Sequence, residues 1–164
     1  VCFTVAMTSN LFIEDFLFKF TSKKTFLGVF SANTLPPYNR KSIGKHLITN
    51  LSNKGEKGSH FICLSYKRNS IHSFDPYGMC LWTPNIINHF PWKIKFTHTS
   101  IPIQSTFSMS CGFFCCAYIL SKRLKMSETK FLKKFNHKEL EMNDILVRKF
   151  LIDCIRRCIK INKN

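Results

Sequence analysis

Four residues of this chain have the types and spacing to hydrolyse an amide bond: His60, Asp75, Gln104 and Cys111. A thiol nucleophile needs a base to deprotonate it and a group that orients the base. It also needs donors for the oxyanion that develops on the attacked carbonyl. Cys111 stands where a serine-rich loop, 105–110, meets the apolar run 113–120. An all-round apolar run predicts a buried helix, which places Cys111 at its N-terminus. There the unpaired N–H groups and the positive end of the helix dipole favour a thiolate. His60 is the candidate base, since an unperturbed imidazole near ~6.5 shuttles protons at neutral pH. Asp75 is the candidate orienting acid and the only Asp or Glu between Lys57 and Ser127. Gln104 supplies a side-chain amide that, with the Cys111 backbone N–H, would make an oxyanion hole.

The elements that must position these groups follow in order. Residues 11–20 carry Leu11, Phe12, Phe16, Leu17 and Phe20 at helical spacing. Glu14, Asp15 and Lys19 take the other side, with Asn10 at the cap. Residues 27–30 and 46–51 predict strands, and 59–66 with 70–74 predict a hairpin. With Lys67 and Arg68 as its turn, His60 lies opposite Asp75 at the open end. Trp92, Ile94, Phe96 and His98 alternate with polar residues and predict a further strand. Residues 127–135 and 143–159 predict amphipathic helices, the second capped by Asn143 or Asp144.

At 164 residues and 45% hydrophobic content the chain has the size and composition of one domain with a single core. Its formal charge of +16 favours polyanionic partners, nucleic acid first. The region from Lys122 onward holds 13 of the 25 basic residues. No uncharged run approaches the ~18 residues of a membrane span, and Glu14 and Asp15 interrupt the early apolar segment, unlike a signal peptide. The eight cysteines are expected to be reduced, as in a cytosolic, nuclear or virion interior. Cys115 and Cys116, adjacent in the apolar run, read as packing residues. Zinc is disfavoured: there is no C-x-x-C pair, and Cys154 and Cys158, one helical turn apart, read as packing. His46, His72, His89, His98 and His137 show no evident partner and read as structural or surface residues.

Four segments carry a family resemblance: FLGVF at 26–30, KGSHFICLSY at 57–66, FDPYG at 74–78 and IQSTFSMSCGFFCCAYIL at 103–120. In these the chain resembles the adenain-like cysteine proteases, the adenovirus-type family with its relatives in other viruses and in Polinton/Maverick elements. The resemblance covers most of residues 26–120 and leaves the basic C-terminal helices, about 122–164, outside it. It implies an α+β, papain-related fold of the permuted adenain/ubiquitin-like-protease type. A central mixed β-sheet would be packed by helices, in the order His, acid, Cys. It implies His60, Asp75, Gln104 and Cys111 as the catalytic set. It also implies cleavage of viral precursor proteins at small, glycine-containing sites during particle maturation, in a host nucleus, virion interior or cytoplasm. The expected enzyme is a monomer that needs no cofactor for its chemistry and takes DNA as a stimulator.

The chain departs from the family in three places. Asp75 stands where adenain has glutamate, and Phe61 follows His60 where many relatives have tryptophan. No cysteine lies between Cys80 and Cys111, so a disulfide-linked peptide activator is not expected. Two other readings stay open at this level. One is a protease that removes ubiquitin or a SUMO-like modifier, although Ser110 replaces the acidic residue often found before that nucleophile. The other is an inactive, basic nucleic-acid-binding protein.

Overall fold

Strands β1 (Phe26–Ser31), β2 (His46–Asn50), β3 (Phe61–Tyr66), β4 (Ser70–Phe74) and β5 (Lys95–His98) form one sheet in that order. The pairings are parallel at both edges and antiparallel in the middle, so the sheet is mixed. This computed structural model describes residues 9–80 and 82–163; Cys2 lies outside the described residues. The helices are α1 (Asn10–Phe18), α2 (Pro84–Ile87), α3 (Cys111–Arg123), α4 (Glu128–Leu132) and α5 (Asn143–Lys163), with a 3-10 turn at Leu140–Met142. The α+β fold expected from the sequence, with a central mixed sheet packed by helices, is the one observed.

The strand period of two sorts the side chains onto two faces. Phe61, Cys63, Ile48 and Phe74 join the core beneath α3, α4, α5 and α1. Ile62, Leu64, Tyr66, Leu47 and Ile71 join a second core closed by Leu35, Ile86 and Phe90. With both faces covered, all six residues of β3 are buried. α3 is buried from Gly112 to Ser121, as its apolar sequence predicts. Each large side chain buried there contributes about 1.5–3 kcal/mol. The helix ends at Arg123, and Lys125, just past its cap, takes φ 55. The Met126 N–H reaches back to the Ser121 carbonyl at 2.9 Å, satisfying an end-of-helix acceptor.

Several local expectations change. Ser9, not Asn10, caps α1, its Oγ accepting the Phe12 N–H at 3.2 Å. Leu11 is 78% exposed, and Ile13 takes its place in the core beside Phe16 and Leu17. Glu14 turns inward to accept the Val29 N–H at 2.7 Å. The fifth strand shortens to Lys95–His98, leaving Trp92 88% exposed. The hairpin register moves by two residues: Cys63 pairs with Phe74 and Ser65 with His72. The turn is centred one residue later than expected, on Arg68-Asn69, and the Lys67 N–H bonds the Ser70 carbonyl across it at 2.9 Å. Asn143 caps nothing by its side chain in the expected sense. It is fully buried, donating to the carbonyls of Ile103 and Asn136 and accepting the Asn136 N–H.

Among the described residues no helix is long and apolar enough to cross a membrane.

Candidate active site

Cys111 is the first residue of α3. Ser110 precedes it and makes no side-chain capping bond, so the helix start is not closed by a hydroxyl. His60 lies one residue before β3 and Asp75 one residue after β4. A two-residue shift in an antiparallel pair keeps a residue on the same face and turns a direct neighbour into a diagonal one. His60 and Asp75 therefore still meet. Nε2–H of His60 donates to Asp75 Oδ1 at 2.7 Å, with Asp75 fully buried. Asp75 is held in turn by the backbone N–H groups of Tyr77 at 2.9 Å and Met79 at 3.3 Å. Since Nε2 is committed to Asp75, Nδ1 is the nitrogen left for Cys111.

The electrostatics of the two partners are mutual. Burial pulls the His60 pKa down, but hydrogen bonds to Asp75 and Cys111 outweigh it and raise the imidazole to about 9. Burial pushes the Cys111 thiol up, and the His60 hydrogen bond, with the backbone amides of Phe61 and Gly112, brings it below its ordinary value. Both shifts favour a thiolate–imidazolium pair. Cys115 and Cys116 behave oppositely. Both are fully buried, and burial drives their thiols well above the ordinary range. Cys154 and Cys158 are also buried, in the core under α5.

Gln104 reaches the same loop from its other end. Its side chain is buried, and Nε2–H donates to the Ser108 carbonyl at 2.9 Å, while Oε1 is buried without a partner. The Asp75 turn touches this segment directly. The Pro76 carbonyl accepts the N–H groups of Ile103 and Gln104 at 2.9 and 3.0 Å. Gly78 has φ +68, and a Cβ there would come within 2.6 Å of the Pro102 nitrogen. The turn carrying the acid and the segment carrying the amide thus pack backbone to backbone.

Two contributions were not anticipated from the sequence. The Tyr77 ring stacks on the His60 imidazole with centroids 4.5 Å apart, and its hydroxyl donates to the Ser108 carbonyl at 3.3 Å. Its position in the Asp-Pro-Tyr-Gly segment was the available signal. Asp144, from the start of α5, accepts the Ser108 hydroxyl at 2.7 Å, a pairing that no local pattern announces. Of the remaining histidines, three have clear polar partners. His46 Nδ1 meets Ser65 Oγ at 2.7 Å, His72 bonds Glu128 at 2.9 Å, and His89 donates to the Pro36 carbonyl at 3.0 Å.

A cleft of about 280 Å³ opens beside Cys111, walled by Phe61, Tyr77, Met109 and Gly58. A Cβ on Gly58 would lie 2.8 Å from Asn50 Nδ2, so that wall tolerates only glycine without rearrangement. No group of three His, Cys, Asp or Glu among the described residues could hold a metal ion.

The chain matches no protein-family model and no curated protein. Among solved structures it is similar to a deletion variant of AvrA with IP6 and CoA, at 16% identity and TM-score 0.48. That match covers 75% of this chain and 53% of AvrA, so the chain spans about half the length of that protein. It is also similar to an ASFV protease, at 19% identity and TM-score 0.38, covering 63% of this chain and 41% of the other. A third is the central domain of the Legionella pneumophila protein Lpg1148, at 17% identity and TM-score 0.44, covering 82% and 88%. These likenesses carry no information about the chemistry of this chain.

Proposed function

We propose that this chain is a cysteine endopeptidase of the adenain-like type. Its substrates would be viral or element-encoded precursor proteins, cut at small, glycine-containing sites during particle maturation. The observation that carries the reading is a thiol opening a buried helix against an imidazole whose far nitrogen is bonded to a buried carboxylate.

In this mechanism the Cys111 thiolate attacks the scissile carbonyl carbon. The oxyanion is taken up by the Cys111 backbone N–H and by Nε2–H of Gln104. His60 then gives its Nδ1 proton to the leaving amine, the C–N bond breaks, and a thioester remains on Cys111. His60, now neutral, takes a proton from water as the water attacks the thioester. Collapse of the second tetrahedral intermediate releases the carboxylic acid and returns the thiolate–imidazolium pair. Asp75 stays bonded to Nε2 throughout and stabilises the imidazolium. Phe61, Tyr77 and Gly58 wall the cleft beside Cys111, where the proposed small residues would sit.

The test is hydrolysis of a fluorogenic glycyl-glycyl coumarylamide by wild type and by Cys111→Ala. Loss of all activity above background in the variant, with an unchanged circular dichroism spectrum, supports the reading; undiminished activity sinks it. A second reading is that the same cleft takes the Gly-Gly tail of a ubiquitin-like modifier. Efficient labelling of Cys111 by a modifier vinyl sulfone, without cleavage of precursor-type peptides, would move the assignment to deconjugation.

A further inference from the structure

The loop between Gln104 and Cys111 is held from outside itself by the first turn of α5, in the C-terminal region that no sequence motif connects with catalysis. Ser108 is the junction. Its hydroxyl donates to both carboxylate oxygens of Asp144, at 2.7 and 2.9 Å. The same oxygen accepts the Ser110 N–H at 3.1 Å. The Ser108 carbonyl accepts from Gln104 Nε2 at 2.9 Å and from the Tyr77 hydroxyl at 3.3 Å. One residue therefore links the side-chain amide, the turn immediately before the Cys111 N–H, and the ring stacked on His60. Neighbouring bonds brace the same two segments. Ser105 donates to Glu141 at 3.0 Å, and buried Asn143 donates to the Ile103 carbonyl at 2.9 Å.

We infer that Asp144 is a positioning residue for the oxyanion site: by holding the Ser108 hydroxyl it sets the directions of the Gln104 amide and the Cys111 N–H. This rests on the proposed peptidase reading. Oxyanion stabilisation depends on donors already aimed where charge develops, and a displacement near 1 Å is costly. Ser108 carries no charge, so a charged acceptor gives its hydroxyl the strongest available anchor. Formation of the thiolate–imidazolium pair requires none of these bonds. The inference therefore separates two properties of Cys111: its reactivity as a thiolate and its power to hydrolyse an amide.

The experiment compares wild type, Asp144→Ala, Asp144→Asn and Ser108→Ala. Each is measured for kcat and KM on the glycyl-glycyl coumarylamide and for the rate of Cys111 alkylation by iodoacetamide against pH. Asp144→Ala should lower kcat by about tenfold to a hundredfold, with KM and the alkylation profile unchanged. Ser108→Ala should do the same, and the double variant should be no worse than either single one. Asp144→Asn keeps an acceptor for the Ser108 hydroxyl and should recover most of kcat. Wild-type kcat in Asp144→Ala overturns the inference while leaving the peptidase reading intact. So does a parallel loss of alkylation rate and thermal midpoint, which marks a merely structural role. A wild type with no Cys111-dependent hydrolysis overturns both.

Discussion

Asp75 illustrates how much work one buried side chain does. Its carboxylate meets His60 at 2.7 Å and two backbone N–H groups, so it fixes a ring and a turn together. Its effect on His60 sets the pH range of the proposed reaction. The active ion pair needs Cys111 deprotonated, which occurs below the ordinary thiol value, and His60 protonated, which persists to about 9. The profile of kcat/KM should thus be a bell whose alkaline limb falls near pH 9. Asp75→Asn removes the leading upward influence on His60, so that limb should move down by about one unit or more. An alkaline limb that stays in place would separate Asp75 from the base. That His60 and Asp75 meet was readable from their places at one end of a hairpin. The stacking of Tyr77 on His60 was not, because aromatic contacts leave no spacing rule in a loop.

At the level of elements, the sheet and the C-terminal helices are joined by a second polar cluster, centred on Glu128. Glu128, the first residue of α4, accepts from His72 at 2.9 Å, Tyr118 at 2.7 Å and Thr99 at 2.8 Å. It therefore ties α4 to β4, α3 and the segment after β5. Burial pushes the Glu128 carboxyl up, but these three bonds outweigh it and hold it near about 2. Glu128→Ala leaves the Tyr118 and Thr99 hydroxyls without this acceptor, and should cost about 1–3 kcal/mol of stability at neutral pH. Because the folded pKa is depressed, this stability is fully present above 4.5 and is lost as pH falls towards 2. Urea unfolding should show the gap between wild type and variant narrowing across that window. A gap that is constant with pH would mean that the ionised form contributes nothing. Helix α4 itself was legible from its apolar spacing, whereas the role of Glu128 required knowing which strand lies under it.

Over the whole molecule the dominant feature is charge. A formal +16 on 164 residues gives a field attractive to polyanions at long range. Lys149, Arg156, Arg157 and Lys160 on α5 are exposed contributors. DNA as partner and stimulator remains a proposal resting on that charge. Wild type and Cys111→Ala should bind duplex DNA equally and without sequence preference. With about six phosphates neutralised, affinity should fall by about 10³-fold between about 50 and 200 mM salt. Fluorescence anisotropy on two unrelated duplexes tests this, and binding that ignores salt would remove charge as its cause.

The sequence by itself determined the candidates for the reacting groups, the buried helix that begins at Cys111, and the strands that carry His60 and Asp75 to one end of a hairpin. Those features follow from local rules: periodicity, helix polarity and the return of a hairpin on itself. Only the tertiary structure decided the register, in which a turn centred one residue later makes His60 and Asp75 diagonal partners instead of opposite ones. It also decided that Glu14, Glu128, Asn143 and Asp144 turn to partners far along the chain. A polar side chain's sequence position says that it needs a partner once water is excluded. Which partner it finds depends on what the packed elements bring within about 3 Å, and that distance is set by the whole fold.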